Sequence, residues 1–197
     1  LFAGAPKEDT MNTRDSSAIV LYRGSHSEEE CAQGKRCLFE AFNWLTRQQN
    51  TDQRPPGVSP VLHVMGMRLN DCLPDTKRQH LAVLLPNGTS PLAGTEHDGL
   101  DHTRSLLALD WLIRVHAPAF LDLVPVLAPH AAALRDLPAV TLVNAAAAGA
   151  VVRAARPAAW AAAGAAAGGA LNSVVDRLQD SAIRLYHTMI NPQEAAS

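Results

Sequence analysis

Asp101-His-Thr-Arg-Ser-Leu-Leu-Ala-Leu-Asp-Trp-Leu-Ile-Arg-Val-His116 decides the fold. Leu106, Leu109, Trp111, Leu112, Ile113 and Val115 recur at helical spacing, on an arc broad enough for the helix to be largely buried. Asp101 stands where an N-cap belongs, so the stretch reads as a helix over His102–His116 and as the centre of an all-α fold.

Downstream, Pro118, Pro125, Pro129 and Pro138 are expected to cut the chain into short helices around 120–123 and 130–137. The composition then changes. Residues 145–170 are mostly alanine, interrupted by Gly149, Gly164, Gly168 and Gly169 and divided by Arg153 and Arg156-Pro157. Alanine favours helix, and small side chains let helices approach closely. A last amphipathic helix is predicted over 173–190, with Val174, Val175, Leu178, Ala182, Leu185, Tyr186 and Met189 on its apolar stripe.

Upstream, Ser27 followed by Glu30 is a capping box that starts a helix carrying Cys37, Leu38, Ala41, Phe42 and Leu45 on one face, with Gly34 as a kink or a delay. Gln48–Gly57 is a loop by composition, and Ser59-Pro60 restarts a helix to about Asn70 that buries Val61, Leu62, Val64, Met65 and Leu69. After a break at Asp71–Pro74, Asp75 is expected to cap a third helix through Leu85. Residues 86–99 form a loop of about a dozen residues, a length often associated with function. The β-prone run Ala18–Tyr22 has no visible strand partner, so residues 1–26 read as an N-terminal arm. The rest, 27–197, reads as one helical domain with a core over 27–138 and Ala-rich C-terminal helices over 139–190. The expected architecture is an irregular multi-helix bundle closed by an Ala-rich C-terminal helical hairpin.

Composition narrows the function classes. The 197 residues are 47% apolar and 18% charged, with a formal net charge of −2, and no basic run exceeds the pairs Lys35-Arg36 and Lys77-Arg78. A clustered positive footprint is missing, which argues against a nucleic-acid partner unless the fold gathers scattered arginines such as Arg68, Arg104 and Arg114 onto one face. Cys31, Cys37 and Cys72 form no CxxC and no disulfide framework. Leu1-Phe-Ala-Gly-Ala-Pro6 lacks the features of a secretory signal, and Met11 is a candidate natural start, so the expectation is a cytoplasmic protein with reduced thiols. The uncharged runs 139–152 and 158–171 are each 14 residues long, whereas a membrane span needs about 20.

Two constellations could carry chemistry. In the first, His26 precedes the first helix, and Cys37 and Glu40 stand one turn apart on it; a histidine base beside a thiol is the arrangement of a cysteine nucleophile. The competing reading is a buried inert thiol beside a capping-region histidine. The second is Glu96-His97-Asp98-Gly-Leu-Asp-His102, where Glu96, His97, Asp98 and His102 are candidate metal ligands in a loop running into a helix. Its spacing matches no defined metal motif, and a solvated loop is the alternative. His63, His80 and His116 read as packing residues beside core positions. Phosphate-loop, GxSxG and HExxH patterns are missing from the chain, which removes the sharply defined nucleotide, hydrolase and zinc-protease motifs and leaves any cofactor unknown.

Across residues 24–140, the phrases Gly24-Ser-His26, Cys37-Leu-Phe-Glu40-Ala, Leu69-Asn-Asp71-Cys-Leu-Pro-Asp75, Leu92-Ala-Gly-Thr95 and Ser105–Arg114 resemble a group of small helical proteins of actinobacteria and their phages. The alanine-rich segment followed by Leu178-Gln-Asp-Ser-Ala182 is similar to that group's tail. The resemblance implies a bacterial or phage cytosolic protein and carries no activity, ligand or catalytic residue with it.

Three functions remain open at this point. The first is an interaction or regulatory protein with a protein partner, or a homo-oligomer joined through the alanine-rich segment and the last helix. The second is an enzyme working at His26/Cys37/Glu40 or in the Glu96–His102 loop. The third is a binder of a small apolar ligand between helices.

Overall fold

The computed structural model describes residues 18–47, 49–165 and 168–192, and what these fold into is all-α. Residues 1–17 of the expected arm, including Met11, lie outside the described residues, as do 166–167 and 193–197. In chain order the helices are α1 (Glu28–Ala32), α2 (Leu38–Arg47), α3 (Pro60–Cys72), α4 (Asp75–Arg78), α5 (Asp101–Trp111), α6 (Ala117–Leu121), α7 (Ala128–Arg135), α8 (Ala145–Ala165) and α9 (Gly168–Ile190). A 3₁₀ segment, Gln79–Leu84, continues α4, and a π turn, Leu112–His116, joins α5 to α6.

The Ser27 capping box forms as read, with the Ser27 hydroxyl accepting from the Glu30 amide and the Glu30 carboxylate reaching back to the Ser27 amide. The helix it starts is one turn long. Gly34, at φ +90°, breaks it, and a separate α2 begins at Leu38. Leu38, Phe39, Ala41 and Phe42 then bury against Leu62 and Leu69 of α3, Leu81 and Leu84 of the 3₁₀ segment, and Tyr186, Met189 and Ile190 of α9. Ser59 caps α3 by accepting from Val61 and Leu62, both at 3.2 Å, with Pro60 in the first turn. Within α3, Val64 faces solvent, while Gly66 and Asn70 are buried. An alanine Cβ at Gly66 would lie 2.5 Å from the Tyr186 hydroxyl and 2.9 Å from Phe39, so glycine is what lets α9 approach α3. Tyr186 uses that approach to donate to the Leu62 carbonyl at 2.9 Å.

The β-prone run is docked, although among the described residues no strand pairs with it along its length. Leu21 is buried and forms a single parallel bridge with Arg36, through Tyr22 N–H to the Arg36 carbonyl at 2.8 Å. Side-chain amides supply the rest. Gln79 exchanges two hydrogen bonds with the Leu21 backbone at 2.9 and 3.0 Å, and Asn70 bridges the Tyr22 carbonyl and the Leu38 amide. These partners are distant in sequence, which is why a search for a pairing strand misses them.

Two expected caps are placed differently. Asp75 lies in the first turn of α4 and pairs with Arg78 at 2.6 Å instead of capping. Asp101 is the first residue of α5, and its carboxylate turns to Ser59 and Arg104. The apolar residues of α5 are half-buried, and its fully buried side chain is Arg104. Pro118 does not cut the chain. A proline there in an α-helix presses on the carbonyl four residues back; the π turn resets the ladder first, with the Ala117 amide reaching the Leu112 carbonyl, and α6 continues through Pro118. Nor does Pro157 divide the alanine tract, because α8 runs through it.

A second, smaller cluster gathers Ile113, Ala117 and Leu121 with Ala131 and Leu134 of α7, and with Ala148, Val151, Ala155 and Ala158 of α8 at its edge. Thus α8 packs chiefly on α6, and α9 on α3 and α5. Among the described residues, no helix is long and apolar enough to cross a membrane.

Candidate functional site

His26, Cys37 and Glu40 converge. The turn after α1 and the Leu21–Arg36 bridge bring the chain back so that the Glu40 carboxylate sits under residue 26. Its Oε1 accepts the His26 amide at 2.7 Å, while Oε2 meets His26 Nδ1 and the Cys37 amide, each at 2.8 Å. Cys37 Sγ accepts the Glu40 amide at 3.5 Å, and the Cys37 carbonyl accepts the Ala41 amide. This is a second capping box, with a thiol in the place of the usual hydroxyl. The chemistry it allows is limited. Cys37 is fully buried, and burial pushes its thiol up to about 12, so it carries no thiolate at neutral pH. In this arrangement the three residues form a clamp that fixes the start of α2.

In the Glu96–His102 loop the candidate ligands point apart among the described residues. Each acidic side chain turns toward a cation or a backbone amide. Glu96 accepts from Arg54 at 2.6 Å and from the Gly57 amide at 2.8 Å, and these bonds hold its carboxyl below the usual range. Asp98 receives both guanidinium nitrogens of Arg104, at 2.8 and 2.6 Å, and is held low for the same reason. His97 and His102 face solvent. Among the described residues, no three His, Cys, Asp or Glu side chains come together to hold a metal.

Arg104 is the residue that reading the sequence missed. Expected among scattered arginines, it is fully buried and donates to the Met189 carbonyl (2.8 Å), the Ile190 carbonyl (3.3 Å), the Thr95 carbonyl (3.2 Å), Asp98 and Asp101. It thereby closes the C-terminal end of α9 against the loop that leads into α5, supplying donors to carbonyls that a helix end leaves open. Arg78 repeats the device on α3, donating to the Asn70 and Leu73 carbonyls at 2.6 and 2.7 Å. Arg68 and Arg114 lie apart from Arg104, so the three do not form one basic face.

Two apolar surfaces stand out. A groove of about 300 Å³ runs between α3, α9 and the π turn, lined by Met65, Leu69, Trp111, Phe120 and Leu178, with His116 among them. The His116 ring lies 5.2 Å from Trp111 and 5.1 Å from Phe120, and burial lowers its pKa, so it enters the groove wall as neutral imidazole. The other surface is the outer face of α8. Trp160 stands 81% exposed there, among exposed Ala154, Pro157, Ala161 and Gly164.

The chain matches no family model, no curated protein and no solved structure.

Proposed function

We propose that the chain is a cytoplasmic helical interaction protein that self-associates through the outer face of α8. The observation that carries this reading is Trp160, a large apolar side chain left in water on a helix with no acidic residue, flanked by small residues that let a second backbone come close. α9, the other element expected to associate, turns its apolar stripe to the core and shows Asp176, Arg177, Arg184 and His187 to solvent, so α8 is the docking element. The only charges on α8 are Arg153 and Arg156. In an antiparallel two-fold crossing centred on Trp160, Arg153 and its copy stand about 20 Å apart along the axis at ~1.5 Å per residue, beyond a Debye length of ~8 Å at physiological salt. Light scattering coupled to size exclusion is the test. The wild-type chain should run as a dimer that dissociates on dilution, and Trp160→Ala should shift it to monomer at the same concentration. A strict monomer at high concentration rules the reading out.

A further inference from the structure

Beside the apolar groove, with Leu178 shared between the two, four arginines surround one depression. Arg177 and Arg184 stand on α9, Arg114 on the π turn and Arg135 at the end of α7, around a cavity of about 310 Å³ whose lining includes a single carboxylate, Asp122. For a chain of net charge −2 this is a local concentration of positive charge. Two of the four are held in place. Arg114 makes a two-pronged pair with Asp110, at 2.8 Å through each nitrogen, and Asp110 is itself oriented by the Val140 amide at 3.0 Å. Arg135 pairs with Asp122. Among the described residues the other two, Arg177 and Arg184, make no close ion pair; the nearby Asp176 and Asp180 are bonded by Lys77, and Asp180 also feels the charge of Arg184. Between them, at helical spacing on the same face, Ser181 accepts from Trp111 Nε1 at 2.8 Å, which leaves its hydroxyl proton free to donate.

We infer that this depression binds a small phosphate-bearing molecule, with Arg177, Arg184 and the Ser181 hydroxyl as its direct donors. Guanidinium forks match phosphate oxygens two at a time, and a dianion satisfies more of them than a single carboxylate does. The charges of Arg114 and Arg135 are offset by Asp110 and Asp122, so what these two contribute is guanidinium groups already held at the rim, which need not be ordered on binding. Val115, Ala119, Val174 and Leu178 give the cavity an apolar wall, and its volume falls at the small end of the range for small-molecule sites, so an organic phosphate fits better than the bare ion. This site is separate from the exposed face of α8 and stands whether or not that face associates.

Isothermal titration of the full chain with inorganic phosphate and with phenyl phosphate, at ionic strength fixed by sodium chloride, tests it. Saturable single-site binding is expected, weakened at least about tenfold in Arg177→Gln/Arg184→Gln, because two charge-assisted hydrogen bonds are lost. Both residues are exposed, and the far-ultraviolet spectrum should not change. Arg153→Gln/Arg156→Gln, which removes the same charge from α8, should bind as the wild type does. Tighter binding of phenyl phosphate identifies an organic phosphate as the occupant, and equal binding identifies the free ion. The absence of saturable binding to either probe, or equal weakening in the two double variants, overturns the inference.

Discussion

The two apolar clusters of this chain are built differently. The larger one, from α2, α3, the 3₁₀ segment and the end of α9, is bordered by buried polar side chains: Arg36, Glu40, Asn43, Ser59, Asn70, Arg78, Thr95 and Arg104. The smaller one, from the π turn, α6, α7 and α8, has Ile113, Leu121, Leu134 and alanines at its centre, with further leucines and valines half-buried around them. Apolar packing alone tolerates several arrangements, whereas a buried donor that must meet a particular carbonyl tolerates few. The first region is therefore fixed by its polar bonds. The second region exposes most: Val126 (76%), Leu142 (67%), Val143 (96%) and Trp160 (81%) all lie in it or beside it. A region with few buried polar anchors and much exposed apolar surface is the one suited to adding a partner.

That contrast can be broken most forcefully at Arg104. Arg104→Ala removes donors from three backbone carbonyls and leaves Asp98 without its partner, and should cost about 3–5 kcal/mol, as for other broken buried pairs. Urea denaturation reads the loss, and hydrogen exchange should show it at the end of α9 and in residues 95–101 while α8 is little changed. A loss below about 1 kcal/mol, the scale of an exposed pair, would remove Arg104 as the anchor of the first region. On the other side, Pro157→Ala restores an amide to the interior of α8 and should stabilise that helix by up to about 3 kcal/mol, seen as slower exchange of its amides. No change there would show that α8 already accommodates the proline without loss. A smaller effect is expected where α3 and α9 touch. Gly66→Ala places a methyl against Tyr186 and Phe39 and should cost about 1–3 kcal/mol through overpacking. A neutral outcome would mean that the two helices can separate freely, and the first region would then be less tightly specified than its polar bonds imply.

What could be read in advance follows the same division. The Ser27–Glu30 cap, the Ser59-Pro60 start and the apolar stripe of α9 are local patterns, each complete within a few residues, and the structure contains them. Cys37-Leu-Phe-Glu40 is also a capping box, but thiols are not usual caps, so the sequence suggests chemistry there instead. Arg104 was out of reach for a different reason. Its burial depends on carbonyls 85 and 86 residues away, and nothing in the helical period of residues 101–116 marks an arginine for the interior. The docking of residues 19–24 through Gln79, Asn70 and Asp71 is hidden in the same way, since no strand pattern announces an amide side chain as partner. The basic depression has no counterpart as a run of charge along the chain, because it forms from residues on α9, the π turn and α7.

The mildest test is acid. Glu30, Glu96, Asp98 and Asp180 border the first region, and each is held below its usual carboxyl range. For Asp98 the hydrogen bonds from Arg104 are the leading cause, and its side chain is 26% exposed, so solvent screens the pair only in part. A carboxyl whose pKa is lower in the folded chain than in the unfolded one releases its proton more readily when folded. Its contribution to stability is complete above the unfolded value of about 3.9 and is lost as pH falls through the folded value. Urea midpoints should therefore hold from neutrality to about pH 5 and fall below pH 4, and the fall should be shallower in Asp98→Asn, which starts from a lower neutral-pH midpoint. Exchange measured across the same range should show the 95–101 loop and the end of α9 loosening first. Parallel acid limbs for wild type and Asp98→Asn would mean that the Arg104 pair does not couple to pH, and the polar anchoring of the first region would then rest on its backbone carbonyls alone.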